Sequence, residues 1–377
     1  MMIEIRGVEC KNKGAYLMLL SILDQVRKTR KDDKITVKPH DDTEINFDKL
    51  IQHGLFPKMN FNHFNKLRQE TIKRLFSGRR NVYGLVADEE VDVILDASGF
   101  AYGDYWGMKK MRRRILRDID VVKNRGGKVI LLPQAFGPFN NKALKRGMNK
   151  IIKNADLIYA RDPVSYTYLR EINDKESVKL APDFTSLMEV PLKSSKKGVA
   201  IIPNHKMIAN ASPDNVGNYL NFLTELIQLL QNEQQDVFFL IHEGNDDYQL
   251  AEQVNSMLAK EVAIWKSDNP LAIKQRIGNS RLVITSRYHG LMSALFQSVP
   301  VFATSWSHKY EMVLKEYEMD DHLIDPNDSS KMTYQKIIGT LNSIRHNEIS
   351  AHLNKKAEDH KLQSRKMWDE IFYCIAN

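Results

Sequence analysis

The chain has 377 residues, 42% of them hydrophobic and 27% charged, with a formal net charge of +8. That length predicts two domains or one large α/β unit, and that balance excludes fibrous and globally disordered chains. Its 2 cysteines, Cys10 and Cys374, lie near opposite ends, so neither a disulfide framework nor a cysteine-based zinc site is expected, and a reducing cytoplasm is the simplest compartment.

No stretch reaches the roughly 18 consecutive apolar residues of a membrane span, and the opening Met-Met-Ile-Glu-Ile-Arg lacks the apolar core of a signal peptide, so a soluble protein is expected. The charge is uneven. Residues 1–190 carry 35 Lys+Arg against 25 Asp+Glu, an excess of +10, whereas the remainder carries 20 against 22. The first half should therefore prefer anions: nucleic acid, acidic membrane, phosphorylated metabolites and anionic glycans all fit.

In chain order, Ile3 to Val8 reads as a strand, Ala15 to Lys28 as a helix and Ile35 to Val37 as a strand. Val91 to Leu95, a basic helix from about Met108 to Asn124, Val129 to Leu132, a helix near Asn141 to Lys153, and Leu157 to Ala160 follow. Strands alternating with helices of this length imply a parallel sheet covered on both faces. Glu189 to Gly198 replaces periodic apolar residues with Pro, Ser, Lys and Gly and reads as an interdomain linker. The alternation restarts at Val199 to Ile202 and continues through Val237 to Ile241, Val262 to Trp265, Leu282 to Thr285 and Val301 to Ala303, with a mostly helical, polar stretch beyond Thr333. The expected fold is α/β, two Rossmann-like doubly wound domains facing a cleft, with boundaries at 1–190 and 191–345 and a tail, 346–377, whose apolar positions Leu353, Ala357, Met367, Ile371 and Phe372 need a partner surface.

In such domains, polar residues that follow strands are the ones to inspect. The sharpest set is Leu282 to Leu314, where a buried strand runs into Ser286, Arg287, Tyr288 and His289, and Gly290 opens an apolar helix. Arg287 can hold a carboxylate or phosphate through two parallel N–H bonds, and His289 titrates near neutrality. The alternative is that Arg287 pairs with an acidic neighbour and His289 caps a helix. One strand later, Ser305 to Lys309 repeats the theme with His308 and Lys309. A second set is the first β-to-α turn, with Asn12, Lys13 and Gly14, which is either an anion-binding turn or an ordinary connection. Neither the dinucleotide fingerprint nor the P-loop is present. Arg161 follows another strand, and Asp162 before Pro163 reads as a structural helix cap. Gly99 and Asp104, in a glycine-containing loop, could hold sugar hydroxyls or make a turn. Lys109, Lys110, Arg112, Arg113, Arg114 and Arg117 make one helix strongly basic, either a solvated face or an anionic acceptor site.

The run Ser286-Arg287-Tyr288-His289-Gly290, then a strand, then Ser305 with Lys309-Tyr310 resembles the C-terminal signature of the polysaccharide pyruvyl transferase family. Asn12 to Gly14, the run Pro133 to Pro138 that holds Gln134, Ala160 to Ser165 and Ala181 to Phe184 are similar to that family's landmarks, in order. The chain departs from the pattern at Ala15, where many members have Asp, and at Ser98, where a second glycine is usual. The resemblance implies a glycosyltransferase-B-like pair of Rossmann-type domains, phosphoenolpyruvate as donor substrate, a bacterial surface-glycan sugar or its lipid-linked precursor as acceptor, and no metal or further cofactor. It also implies a ketal-forming transfer and a tail that crosses back to the first domain; the charge of the first half allows peripheral membrane contact there, and nucleic acid is not expected because no aromatic-and-basic ladder accompanies that charge. On that footing Arg161, Arg287 and Lys309 match the donor's carboxylate and phosphate, and His289 protonates the donor, with His308 in reserve. Asp183 or Asp104 takes the proton of the attacking hydroxyl. The remaining contacts expected with substrate are Ser286, Asn12, Lys13, Gly14, Gly99 and Gln134. A glycosyltransferase with a nucleotide-sugar donor would share this architecture and basic cleft, and a glycan- or nucleic-acid-binding protein is the third reading.

Overall fold

The computed structural model describes residues 1–39, 44–59, 84–209, 216–304, 309–327 and 330–377. Two compact units divide the chain: one comprises Met1–Leu187 with Gln363–Asn377, the other Met188–Leu362.

The first unit is built on β1 (Met2–Arg6), β2 (Lys34–Val37), β3 (Phe56–Pro57), β4 (Val93–Asp96), β5 (Phe100–Tyr102), β6 (Lys128–Phe136), β7 (Leu157–Ala160) and β8 (Val178–Leu180). All pair in parallel, in the order β3-β2-β1-β4-β6-β7-β8, with β5 alongside β6. Side-chain alternation splits each strand between two cores. Ile3, Ile5, Leu95 and Ile130 pack with the helix Lys13–Thr29 on one face, and Ile94, Val129, Leu131 and Ile158 pack with the helix Lys142–Asn154 on the other. Burial on both faces explains why these strands read as continuous apolar runs.

The second unit repeats the plan with β9 (Val199–Ile202), β10 (Val237–Ile241), β11 (Ala263–Lys266), β12 (Leu282–Thr285), β13 (Val301–Thr304) and β14 (Leu323–Ile324), all parallel in the order β11-β10-β9-β12-β13-β14. Val199, Ile201, Phe239 and Ile284 face one core, and Ala200, Ile202, Leu240 and Val283 face the other. In each sheet the winding reverses beside its first strand, between β1 and β4 and between β9 and β12, and ligands of doubly wound folds collect beyond the strand ends at such reversals.

One local expectation is corrected and two are refined. The basic segment is not one helix: an α-helix at Gly107–Met111 widens into a π-helical stretch at Arg112–Leu116 and resumes at Ile119–Lys123. Arg6 of β1 reaches into this interruption, donating to the Arg114 carbonyl at 2.7 Å and to Asp118 at 3.0 Å. Second, the segment after Met188 is held on the second unit, where the Lys193 N–H and Lys197 N–H donate to the Asn279 side chain and carbonyl. Third, the tail from 346 onward does not belong to one body. The helix Ser343–Ala376 is 34 residues long, roughly 51 Å, and its apolar positions change partner along it. Ile349 and Leu353 join the second unit's core, whereas Met367, Trp368, Ile371 and Phe372 join the first unit's.

Candidate functional site

The segment singled out in the sequence sits at the carboxyl end of β12, at the winding reversal of the second sheet. Buried Ser286 is the hub. Its carbonyl accepts from Asn204 Nδ2 at 2.8 Å and from the Tyr310 hydroxyl at 2.8 Å, and its hydroxyl bonds with Tyr219 at 2.6 Å and with Thr304. Asn204 follows β9 and Thr304 ends β13, so three adjacent strands are tied together at one edge. The serine thus fixes the loop.

Arg287 is gripped by acids. Its Nε donates to Asp247 Oδ2 at 2.8 Å and its Nη2 to Asp247 Oδ1 at 2.6 Å, while Nη1 bonds Glu243. Three of its five N–H donors are committed this way. Asp247 is completely buried in the helix Gly244–Met257 and also accepts the His205 N–H at 2.9 Å. Burial lifts its carboxyl above the usual range, with Arg287 pulling the other way; the Arg287 guanidinium is itself raised, burial being outweighed by the two carboxylates. Of the two readings the sequence left open for Arg287, the acidic partner is present.

His289 is the second residue of the helix Tyr288–Phe296, half-buried, its ring edge-on to Tyr288 at 5.5 Å. The helix can approach β12 this closely because residue 290 is glycine: a Cβ there would stand 2.6 Å from Thr285 Oγ1, the atom that accepts the Arg287 N–H. Lys309, at the start of the helix Lys309–Glu316, lies over the Tyr288 ring at 5.2 Å and the Tyr310 ring at 5.6 Å. The structure therefore brings together Ser286, Arg287, His289 and Lys309. His308 lies outside the described residues.

The first unit's expected residues line the same edge of their own sheet, and several serve the backbone. Asn12 caps the first helix, accepting the Ala15 N–H at 3.0 Å, with Lys13 and Gly14 in its first turn. Asp104 accepts the N–H groups of Asn140 and Asn141 at 2.8 and 3.1 Å. Gln134 is fully buried in β6 and donates at 3.3 Å to Asp96, a buried carboxylate that also accepts from Ser98 and Tyr102. Asp183 accepts from the Thr185 N–H and hydroxyl at 3.0 and 2.6 Å, shaping the turn after β8. Arg161 is nearly buried at the end of β7, beside the Asp162 cap that accepts from Ser165. Gly99 has a φ of +67° in the loop after β4. Strand order separates the Asn12 turn from Asp183 by four strand steps, roughly 19 Å, so one small ligand cannot touch both. Arg161 and Asp183 follow neighbouring strands.

Sequence reasoning missed Asn204, Asp247, Glu243 and Tyr219. Asn204 was within reach, since it follows a strand like every other candidate. Gly7 was missed too: with a φ of +84° it turns out of β1 where a Cβ would come within 2.4 Å of the Ser98 backbone.

A family model for polysaccharide pyruvyl transferase matches residues 12–308. The chain belongs to that family. No curated protein is matched by its sequence. Among solved structures it is similar to the Staphylococcus aureus MnaA–UDP co-structure, at 14% identity over 99% of this chain and 96% of that one, with a TM-score of 0.58. It is similar also to the UDP-GlcNAc 2-epimerase from Neisseria meningitidis bound to UDP-GlcNAc, at 10% identity over 99% and 100% with a TM-score of 0.60, and to Anabaena Alr3699/HepE in complex with UDP and glucose, at 13% over 100% and 99% with 0.59. At these identities the likeness shows a fold: this pyruvyl transferase family member has two Rossmann-like units of the glycosyltransferase-B type. Its family match spans the Asn12 turn and the β12 segment alike, ending just before Lys309.

Proposed function

We propose that the protein transfers pyruvate from phosphoenolpyruvate to two hydroxyls of a glycan sugar, forming a ketal and releasing phosphate. The observation that carries this reading is the Ser286 to His289 segment at the winding reversal of the second sheet, inside the family match. The donor carries a carboxylate and a phosphate, and Lys309 and the remaining N–H groups of Arg287 supply charge for such groups.

The donor's methylene carbon takes a proton, leaving a cationic carbon that the first sugar hydroxyl attacks. Phosphate then leaves with the C–O bond electrons, and the second hydroxyl closes the ketal. Each hydroxyl gives up its proton. His289 is our choice for the acid, because the step requires a group that is part-protonated near neutral pH.

The acceptor is taken to be a surface-polysaccharide sugar or its lipid-linked precursor. The reading is tested by following phosphate release from phosphoenolpyruvate in the presence of lipid-linked glycans. His289→Asn should cut turnover by about 10²-fold or more with donor binding roughly kept, whereas His308→Asn should do much less. Full turnover in His289→Asn removes that residue from the acid role. A nucleotide-sugar glycosyltransferase, the reading favoured by the UDP complexes among the structural relatives, predicts UDP release and none of phosphate.

A further inference from the structure

The basic segment of the first unit has a feature that the transfer chemistry does not use. Tyr105 is 78% exposed and Trp106 38% exposed, both in the turn after β5. Their rings meet edge to face at 4.9 Å, and Phe100 of β5 supports both, at 6.4 Å from Tyr105 and 6.1 Å from Trp106. Large aromatic rings grouped at the surface of a folded unit call for an occupant.

Cations adjoin them. Lys110 Nζ stands 4.7 Å from the Trp106 ring centre, one helical turn along, and Lys109, Arg112 and Arg113 are exposed on the same segment. Burial, followed by the like charges of Arg114 and Arg113, holds the Lys110 ammonium below its usual value, with Glu9 opposing. An anion at this place relieves that crowding. The patch is also anchored, since Arg6 of β1 ties the segment to the sheet through Arg114 and Asp118.

We propose that this patch docks the protein on an anionic phospholipid surface, Tyr105 and Trp106 entering the headgroup layer while Lys109, Lys110, Arg112 and Arg113 meet lipid phosphates. Tyr and Trp favour the membrane–water boundary because one end is apolar and the other polar, and grouped basic residues are drawn to anionic leaflets. Among the described residues no helix is long and apolar enough to cross a membrane, so contact of this kind is peripheral. A sugar-stacking platform is the competing use of such rings, but it needs carboxylate or amide groups beside them to read hydroxyls. The nearest carboxylate in sequence, Asp104, is committed to the Asn140 and Asn141 N–H groups. Docking of this kind is independent of which donor is used.

The test is co-sedimentation of the full chain with vesicles of pure phosphatidylcholine and of equal parts phosphatidylcholine and phosphatidylglycerol. The protein should bind the anionic vesicles alone. The double variants Tyr105→Ser with Trp106→Ser and Lys109→Glu with Arg113→Glu should each lower the bound fraction by about tenfold, with thermal unfolding unchanged because the altered side chains are exposed. Absence of binding to anionic vesicles, equal binding to neutral ones, or undiminished binding by either variant overturns the proposal. So does a variant that keeps vesicle binding but loses affinity for soluble glycan, which would identify the rings as a sugar platform.

Discussion

Arg287 and Asp247 meet through two parallel bonds of 2.8 and 2.6 Å, between a guanidinium that is 14% exposed and a carboxylate that is wholly buried. Asp247 is wholly buried, so its charge depends on this partner and on the His205 N–H. Replacing Arg287 by Ala leaves a buried carboxylate uncompensated and should destabilise the second unit by about 3–5 kcal/mol. Arg287→Lys keeps the charge but loses the fork, so it should recover only part of that stability. Urea unfolding of the two variants checks the order; equal stability of Arg287→Ala and wild type would remove the arginine from any structural role.

His322 makes the second unit acid-sensitive. Its ring stacks on Phe302 with centroids 4.2 Å apart, and Nδ1, assigned as the donor, gives its hydrogen to the Val301 carbonyl at 2.9 Å. Burial lowers its pKa, partly opposed by the Val301 bond and Asp321, while Arg345 and Lys336 add to the lowering. The unfolded chain then takes up a proton near pH 6.5 before the folded ring does. Its contribution is whole above about pH 6.5 and declines as pH falls towards the lowered folded value. Denaturant midpoints should therefore drop between about pH 7.5 and 5.5, and His322→Asn should shrink that drop. An unchanged drop in the variant would place the acid sensitivity elsewhere.

Trp368 carries the C-terminal segment's attachment to the first unit. It is 1% exposed, edge-on to Phe184 at 6.1 Å and stacked with Phe372 at 5.4 Å, while Ser364 and Glu370 bond Ser186 and Tyr159. Trp368→Ala should cost about 3–5 kcal/mol, read as loss of hydrogen-exchange protection in residues 363–377 and the helix Lys13–Thr29. Protection unchanged in that helix would show that the tail adds nothing to the first core.

The apolar runs made most strands of both sheets legible, because strands buried on two faces leave an unbroken signal: Leu282 to Thr285 in the sequence is β12 in the structure, whereas the short β3, β5, β8 and β14 left none. Arg287 and His289 were legible for the same reason, since they follow such a run directly. Asp247 was not, because it lies 40 residues from Arg287 and its burial is decided by a helix docking on the sheet. The break at Arg112–Leu116 was hidden as well: it arises where Arg6, more than 100 residues away, claims the Arg114 carbonyl. Likewise the apolar spacing of the last helix marked which residues would be buried, but not that Leu353 and Met367 would enter different cores.

In the proposed reaction the carbon skeleton of phosphoenolpyruvate ends up on a sugar. Mass spectrometry of lipid-linked glycans incubated with the protein, isotopically labelled phosphoenolpyruvate and unlabelled UDP-sugars tests it most directly. The expected product is a glycan heavier by one labelled pyruvyl ketal, with one phosphate released for each transfer. A glycan extended by an unlabelled sugar, with UDP released and the labelled donor intact, would contradict it.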